Sequence, residues 1–538
     1  MAAPAAPLLR SPPFPGGDAA VSRSGAIDAP ALPDAEEIDR LFAVIRDARV
    51  GGCFWARPVE AVGSRLIVRD GSAAENRRLF DAMGETERAS AVAPADDVDP
   101  WSVLGDGVHV IAHGDDEWAA LAHIAGCSVQ LLSAGRYGAP EETASQVRHR
   151  VADALLGQRY RDPFTGEDAD VWATIALLAE WRAILDANRT IVAACGMAWW
   201  KRPEIGRFLW TPEHRLRFFR SERRALPHAA REGGAIAVWP SRISVGMAAA
   251  ARDAGVPLVR VEDGFVRSVG LGSNLVPPSS VAVDRLGIHY DPGAPSDLEA
   301  ILAHAEFPPA LLARADRLRA TILANGISKY GGDGDRPLLP RRPGRRVVLV
   351  PGQVEDDMSV RLGGGGLASN LELLRRTREL EPDAEIWFRP HPDVDAGHRT
   401  GEVRDADALL HADRIMRGGG MAGLLGEVDA VHVLTSLTGF EALLRGRDVT
   451  CHGTPFYAGW GLTRDLAPVP DRRGRALTLA QLIAGVLILY PRYLDPVTGL
   501  PCPPEVLITR MGDGRPHNRL GWITRLRRLQ GRLAAKAR

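Results

Sequence analysis

Four short stretches of this 538-residue chain place acids, hydroxyls, an imidazole and glycines directly after β-forming runs. That arrangement puts polar groups into a ligand crevice at the carboxyl ends of parallel strands. In the first, Val259-Arg260-Val261-Glu262-Asp263-Gly264 ends an apolar strand in paired carboxylates and a glycine. One carboxylate at such a strand end can act as general acid or base, and Gly264 allows the tight turn that aims it. Taken alone, the same residues also suit a solvated turn in which Glu262 or Asp263 caps the next element. Arg267 and Ser268, followed by Val269-Gly270-Leu271-Gly272-Ser273, add a cation, hydroxyls and small residues of the kind that bind anions. Trp239-Pro240-Ser241-Arg242 either lines the same crevice or packs beneath it.

The second stretch, Leu349-Val350-Pro351-Gly352-Gln353-Val354-Glu355-Asp356-Asp357-Met358-Ser359, runs a strand into a glycine loop and then acids. Such a loop suits phosphate or sugar chemistry; a solvated surface or a divalent-cation loop are its alternatives. The third, Arg389-Pro390-His391-Pro392-Asp393, fixes an imidazole between prolines, where it can donate to a phosphate oxygen or carry a proton. The fourth, Leu434-Thr435-Ser436-Leu437-Thr438-Gly439-Phe440-Glu441, reads as strand, hydroxyl-rich turn and helix. Hydroxyls and free N–H groups at a helix start form an anion site, and the same geometry serves N-capping by Thr435 or Ser436. Glu441, one turn further on, is placed to reach ribose hydroxyls.

From about residue 190 onward, strands alternate with helices: TIVAACG, GAIAVW, a helix over VGMAAAARDAG, PLVRVED, and later RRVVLVPG, AEIWFRPHP, AVHVL and a helix over GFEALLRG. The alternation predicts an α/β fold with parallel sheets. A Gly-, Pro- and charge-rich stretch over 322–346 marks a crossing between two Rossmann-like domains that face a cleft, expected at 190–340 and 341–510. Residues 1–34, rich in Ala, Pro, Gly and Ser, read as a disordered leader. The region 35–189 reads as a degenerate partial copy of the last domain. Within it, Tyr160-Arg161-Asp162-Pro163-Phe164-Thr165-Gly166 echoes Tyr493-Leu494-Asp495-Pro496-Val497-Thr498-Gly499, Val108-His109-Val110 echoes Val431-His432-Val433, and Trp55-Ala56-Arg57-Pro58 echoes Trp387-Phe388-Arg389-Pro390. Where the later copy has His391, Thr435-Ser436 and Glu441, the early one has Val59, Ala112-His113 and Trp118.

Composition narrows the classes. Lys plus Arg total 66 against 67 for Asp plus Glu, a net charge of −1, so no global basic field recruits nucleic acid. The 5 cysteines are scattered without ligand spacing, which argues against disulfides or structural zinc and for a reducing compartment. No signal peptide and no membrane-spanning run is expected. The tail 511–538 carries RPHNRLGWITRLRRLQGRLAAKAR, with Trp522, Ile523, Leu526, Leu529 and Leu533 at near-helical spacing among basic residues. It suits an amphipathic helix resting on anionic lipid, or one packed back on the protein.

The stretches RVEDGFVRSVGLGSNLVPPSSVAVDRLGIHYDP, PGQVEDDMSVRLG, FRPHPDVDAGHRTG and LTSLTGFEALLRGRDVTCHGTPFYAGWGLT together resemble the KpsC/LipA family of capsule polysaccharide proteins, over about 190–510. The resemblance is to that family's C-terminal catalytic module. It implies a GT-B-like fold and a retaining β-Kdo glycosyltransferase that moves Kdo from CMP-Kdo to a (lyso)phosphatidylglycerol-linked Kdo acceptor. Carried over residue by residue, it implies Asp357 as nucleophile, with Glu262 or Asp263 as general base and His391 at the CMP phosphate. Gly352, Gln353, Arg389, Thr435, Ser436 and Glu441 then surround the donor, and Arg267 and Ser268 hold the Kdo carboxylate. No metal or other cofactor is expected, because CMP is a monophosphate leaving group and no DxD stands where a metal loop would need it. The expected setting is the cytoplasmic face of the inner membrane, with the basic tail on the lipid and other capsule assembly or export proteins as partners. A noncatalytic assembly or export factor, and a transferase for another CMP-activated nonulosonic acid, are the alternatives.

Overall fold

The structure, a computed structural model, describes residues 6–26, 34–59, 66–69, 91–95, 97–267, 276–328, 331–332, 342, 344–395, 397 and 399–513. The chain divides into two compact units. The smaller comprises Met1–Thr190 with Leu209–Arg215 and Thr498–Leu500, and the larger holds the remainder. Among the described residues no helix is long and apolar enough to cross a membrane. The basic tail, from residue 514 on, lies outside the described residues.

The smaller unit contains a parallel sheet in the order Ala91–Val92, Leu66–Arg69, His109–Ala112, Ser128–Leu131. The expected disordered leader contributes ordered structure at residues 6–26. Leu8, Leu9 and Val21 are buried, and Phe14 packs its ring 5.1 Å from Trp181 and 5.0 Å from Trp210. Apolar residues spaced among the prolines supply that burial, which composition alone does not reveal. A buried ion pair at 2.7 Å, Arg182 with Asp99, also ties Arg49 and Phe54 carbonyls to the helix Val171–Asn188.

Two of the internal echoes share local structure. The Tyr160 hydroxyl donates to Leu155 O at 2.8 Å and the Tyr493 hydroxyl to Leu487 O at 2.6 Å, while Gly166 and Gly499 take the left-handed conformation at φ 77° and 73°. The third differs. Among the described residues Arg57–Pro58 pairs only with Val98–Asp99, apart from the parallel sheet, whereas Glu385–Arg389 is a long strand within one. The four-residue WARP match therefore reflects shared residues without a shared structural place.

In chain order, the strands of the larger unit's two main sheets are β1 (Ile191–Cys195), β2 (Arg217–Phe219), β3 (Ala235–Val238), β4 (Leu258–Asp263), β5 (Ser280–Asp284), β6 (Val347–Pro351), β7 (Glu385–Arg389), β8 (Arg414–Ile415), β9 (Ala430–Val433), β10 (Asp448–Cys451), β11 (Arg464–Asp465), β12 (Pro491–Leu494) and β13 (Pro501–Cys502). The first sheet runs β2-β1-β3-β4-β5-β12-β13, parallel as far as β4 and antiparallel beyond it. Strands β12 and β13, expected within 341–510, thus return to the first sheet and close its edge. The second sheet runs β8-β7-β6-β9-β10-β11 and is parallel throughout. Numbered by its own strands this is the order 3-2-1-4-5-6, which reverses direction between β6 and β9 and opens a crevice there. β6 is VVLVP, buried at every position, as a central parallel strand covered on both faces must be. Helices α1 (Met358–Gly363), α2 (Asn370–Leu380) and α3 (Leu437–Leu444) follow the strands that border the crevice.

The core of the second sheet also buries an imidazole pair, His432 Nδ1 and His452 Nε2, 3.1 Å apart. Burial above all depresses both, with His452 and Arg464 adding to the effect on His432 and Arg376 and Arg464 to that on His452; the pKa values fall from 6.5 to about 3 and about 4. Because the unfolded chain takes up these protons near pH 6.5 and the folded one does not, stability is full above that pH and falls as the pH drops below it. Between pH 7 and pH 5 the loss is on the order of 2 kcal/mol for each imidazole. Denaturant titrations at the two pH values check this, and His432→Gln flattens the dependence.

Candidate functional site

Two acid-bearing loops and one hydroxyl turn make up the site. At the reversal point of the second sheet, the Gln353 carboxamide bridges β6 to β9: its Nε2 donates to Thr435 Oγ1 at 3.1 Å, and its Oε1 accepts from Thr435 N at 2.9 Å. Gln353 is itself gripped by Asn370, which accepts from Gln353 N and donates to Gln353 O, both at 2.8 Å. Gly363, at the end of α1, is a position where side-chain absence matters. A Cβ there would come within 3.0 Å of Thr435 Cγ2, so a side chain would push α1 and the turn apart by a few tenths of an ångström. Thr454 N then donates to Gly363 O at 2.7 Å.

The three consecutive acids have three different environments. Glu355 is half-buried and accepts from Asn370 N at 2.7 Å, a structural cap. Asp356 is exposed and pairs with Arg399 at 3.0 Å, a hydrogen bond that lowers its pKa. Asp357 is the N-cap of α1, and its Oδ1 accepts from Ser359 N at 3.0 Å and Ser359 Oγ at 2.8 Å. Among the described residues its exposed Oδ2 has no bonded partner, so one carboxylate oxygen is held still while the other faces outward. Ser359, which sequence reasoning passed over, links this carboxylate to Thr435, 3.5 Å away.

The other residues expected around a donor divide between the crevice and the scaffold. Gly352 N donates to Arg389 O at 2.8 Å, which keeps the β6 and β7 loops together. His391 Nδ1 accepts from Asp393 N at 3.2 Å, so its neutral tautomer carries the proton on Nε2. The Arg389 guanidinium donates to the carbonyls of Met416, Gly418 and Gly419, with 2.8 Å to Gly419, and thereby fixes a glycine turn. Ser436 caps α3, accepting from Thr438 N at 3.2 Å. Glu441 is buried and lines a small cavity with Phe265, Val266, Phe440 and Leu444.

On the first sheet, Glu262 and Asp263 separate sharply. Asp263 accepts from Lys201 Nζ at 2.9 Å and from Arg267 Nε at 2.8 Å. Burial alone would raise its pKa; Arg267 and then Lys201 outweigh that and hold the carboxyl well below the usual range. Arg267 is only 1% exposed and also donates to Val276 O at 2.8 Å, so it locks this strand end from within, in contrast to the expected role on a sugar carboxylate. Ser268 lies outside the described residues. Lys201 sits 3.5 Å above the Trp239 ring, which settles Trp239 as packing for that cation. Nothing in the Trp200-Lys201-Arg202 sequence signals this; the contact exists only because β1 and β3 are neighbours. Glu262 is half-buried and accepts from Asp263 N at 3.1 Å. Gly264 is needed for a different reason than a left-handed turn: a Cβ would fall 2.1 Å from Ser280 Oγ on the paired strand β5.

Comparison with known proteins follows this geometry. A family model described as capsule polysaccharide biosynthesis protein matches residues 234–336 and 333–493. The capsule polysaccharide modification protein LipA of Neisseria meningitidis serogroup A is 43% identical over 351 residues, 65% of this chain and 49% of that protein. The lipopolysaccharide-processing protein LpsZ of Rhizobium meliloti is 47% identical over 242 residues, 44% of this chain and 54% of that protein. The chain thus spans about half the length of the curated relatives it matches. Among solved structures, the β-Kdo 2,4 transferase of Thermosulfurimonas dismutans KpsC is 33% identical with a TM-score of 0.52, covering 60% of this chain and 98% of that one.

The contrast between the paired acids is measurable. Asp263→Ala strands Lys201 and Arg267 as buried cations and lowers stability by about 3 to 5 kcal/mol, whereas Glu262→Gln shifts it by about 1 kcal/mol or less. Thermal melts of both variants check this.

Proposed function

The chain belongs to the KpsC/LipA family of capsule polysaccharide proteins, and on that premise we propose that it is a retaining β-Kdo transferase that uses CMP-Kdo and a (lyso)phosphatidylglycerol-linked Kdo acceptor. The observation that carries the reading is Asp357: a carboxylate at the sheet's reversal point, with one oxygen anchored by Ser359 and the other open. In this proposal the two sheets are the acceptor and donor halves of a GT-B-like enzyme, and the smaller unit is a degenerate copy of the donor half. The named activities of relatives, a Kdo transferase among them, support it.

In the first step Asp357 Oδ2 attacks the anomeric carbon, and the bond to the phosphate oxygen breaks with its electron pair leaving on CMP. His391 Nε2–H and the Thr435–Ser436 turn at the α3 N-terminus receive the phosphate charge. In the second step the acceptor hydroxyl gives its proton to Glu262 and its oxygen attacks the same carbon, releasing Asp357. Two inversions retain the configuration. Glu262 takes the base role because Asp263 is neutralised by two cations and has little affinity for a proton. A monophosphate leaving group calls for no metal in this scheme. The lipid acceptor places the enzyme on the inner face of the inner membrane, with the basic tail, capsule partners and no nucleic acid in its surroundings.

Incubation of the protein with CMP-Kdo generated in situ and a synthetic Kdo-terminated glycolipid gives a product heavier by one Kdo. Asp357→Asn abolishes transfer by at least about 1000-fold while melting normally. Glu262→Gln accumulates a covalent Kdo adduct on the protein, visible by intact mass. A transfer-competent Asp357→Asn sinks the mechanism, and preferential binding of UDP over CMP in competition sinks the donor assignment.

A further inference from the structure

Tyr290 follows β5, the strand paired with the Glu262 strand in the register Glu262↔Ala282. Its main-chain carbonyl lies beside Gly363, where a Cβ would come within 3.6 Å of it. Gly363 ends the helix that Asp357 begins. The preceding His289 packs 4.8 Å from Phe265, next to the Glu262 loop, and 5.9 Å from Phe456, next to Thr454. Tyr290 therefore stands at the junction of the two acid-bearing loops. Its ring is half-buried, yet its hydroxyl is fully buried and has no hydrogen-bond partner among the described residues. Burial raises the phenol's pKa, and the Glu262 and Asp357 carboxylates, both near enough to act on it, raise it further. The group is thus a committed donor, protonated at every working pH, beside the carboxylates assigned to the two chemical steps.

An unpaired buried hydroxyl is unfavourable in the empty site and calls for an explanation. Arg267 and Arg389, the cations expected around the donor, are bonded to Asp263 and to a glycine turn. We infer that the Tyr290 hydroxyl is a substrate contact, donating its hydrogen bond to an anionic oxygen of the nucleotide-activated sugar acid bound between Glu262 and Asp357. The inference rests on the transferase reading above and adds a residue to it. The oxygen belongs either to the sugar carboxylate or to the leaving phosphate.

Tyr290→Phe removes only the hydroxyl. Because that group makes no bond among the described residues, the variant melts at or above the wild-type temperature, whereas kcat/KM for CMP-Kdo falls about 10- to 100-fold, as for a hydrogen bond to a charged group. Titration of CMP alone distinguishes the sources: weakened CMP binding assigns the phosphate, and unchanged CMP binding with the loss in kcat/KM assigns the carboxylate. A kcat/KM within twofold of wild type together with unchanged CMP affinity overturns the inference and leaves the transferase reading standing. If the wild-type protein transfers nothing, that reading fails, and equal CMP affinities of the two proteins then overturn the role of Tyr290 as well.

Discussion

The Gln353 carboxamide is the contact that joins the two strand ends at the crevice of the second sheet. It spans the gap where the second sheet reverses direction, pairing both its donor and its acceptor with Thr435 while Asn370 holds its own main chain. In a buried setting such a closed set of hydrogen bonds is rigid, since breaking any one leaves an unsatisfied polar group. Thr435, Ser359 and Asp357 follow from that bridge through successive hydrogen bonds, which hold one oxygen of Asp357 in place.

The first sheet uses charge for the same purpose. Lys201 and Arg267 are costly to bury, and Asp263 between them makes their burial tolerable. In the proposed mechanism the acid adjacent in sequence, Glu262, serves as the base. A pair of neighbouring carboxylates thus divides into an anchor and a candidate base, by the environment each meets on opposite faces of one strand end.

In the smaller unit a parallel strand ends in an ion pair and an aromatic ring. Arg69, at the end of its strand, pairs with Asp116 at 3.1 Å and stacks 5.1 Å from Trp118. The second sheet of the larger unit instead carries a carboxamide, hydroxyls and a helix N-terminus at its reversal point.

The alternation of strands and helices, the carboxyl-end placement of the acid and hydroxyl motifs, and the family were all legible in the sequence, because period, turn residues and long motifs are local properties. Glu262, Asp357, Thr435 and Ser436 were singled out that way, and each stands at or just beyond the carboxyl end of a strand. The packed stretch at residues 6–26 and the return of β12 and β13 to the first sheet were not legible, since both depend on partners far along the chain. The same holds for the division of labour among acids. Nothing local separates Glu262 from Asp263 or Asp357 from Glu355 and Asp356; Lys201, Arg399 and Asn370 do so, from positions 62, 43 and 15 residues away. Sequence determined which groups are available for chemistry, and tertiary structure decided which of them are tied into anchors, because a charge or hydrogen-bond partner acts through space and leaves no mark in the residues beside it.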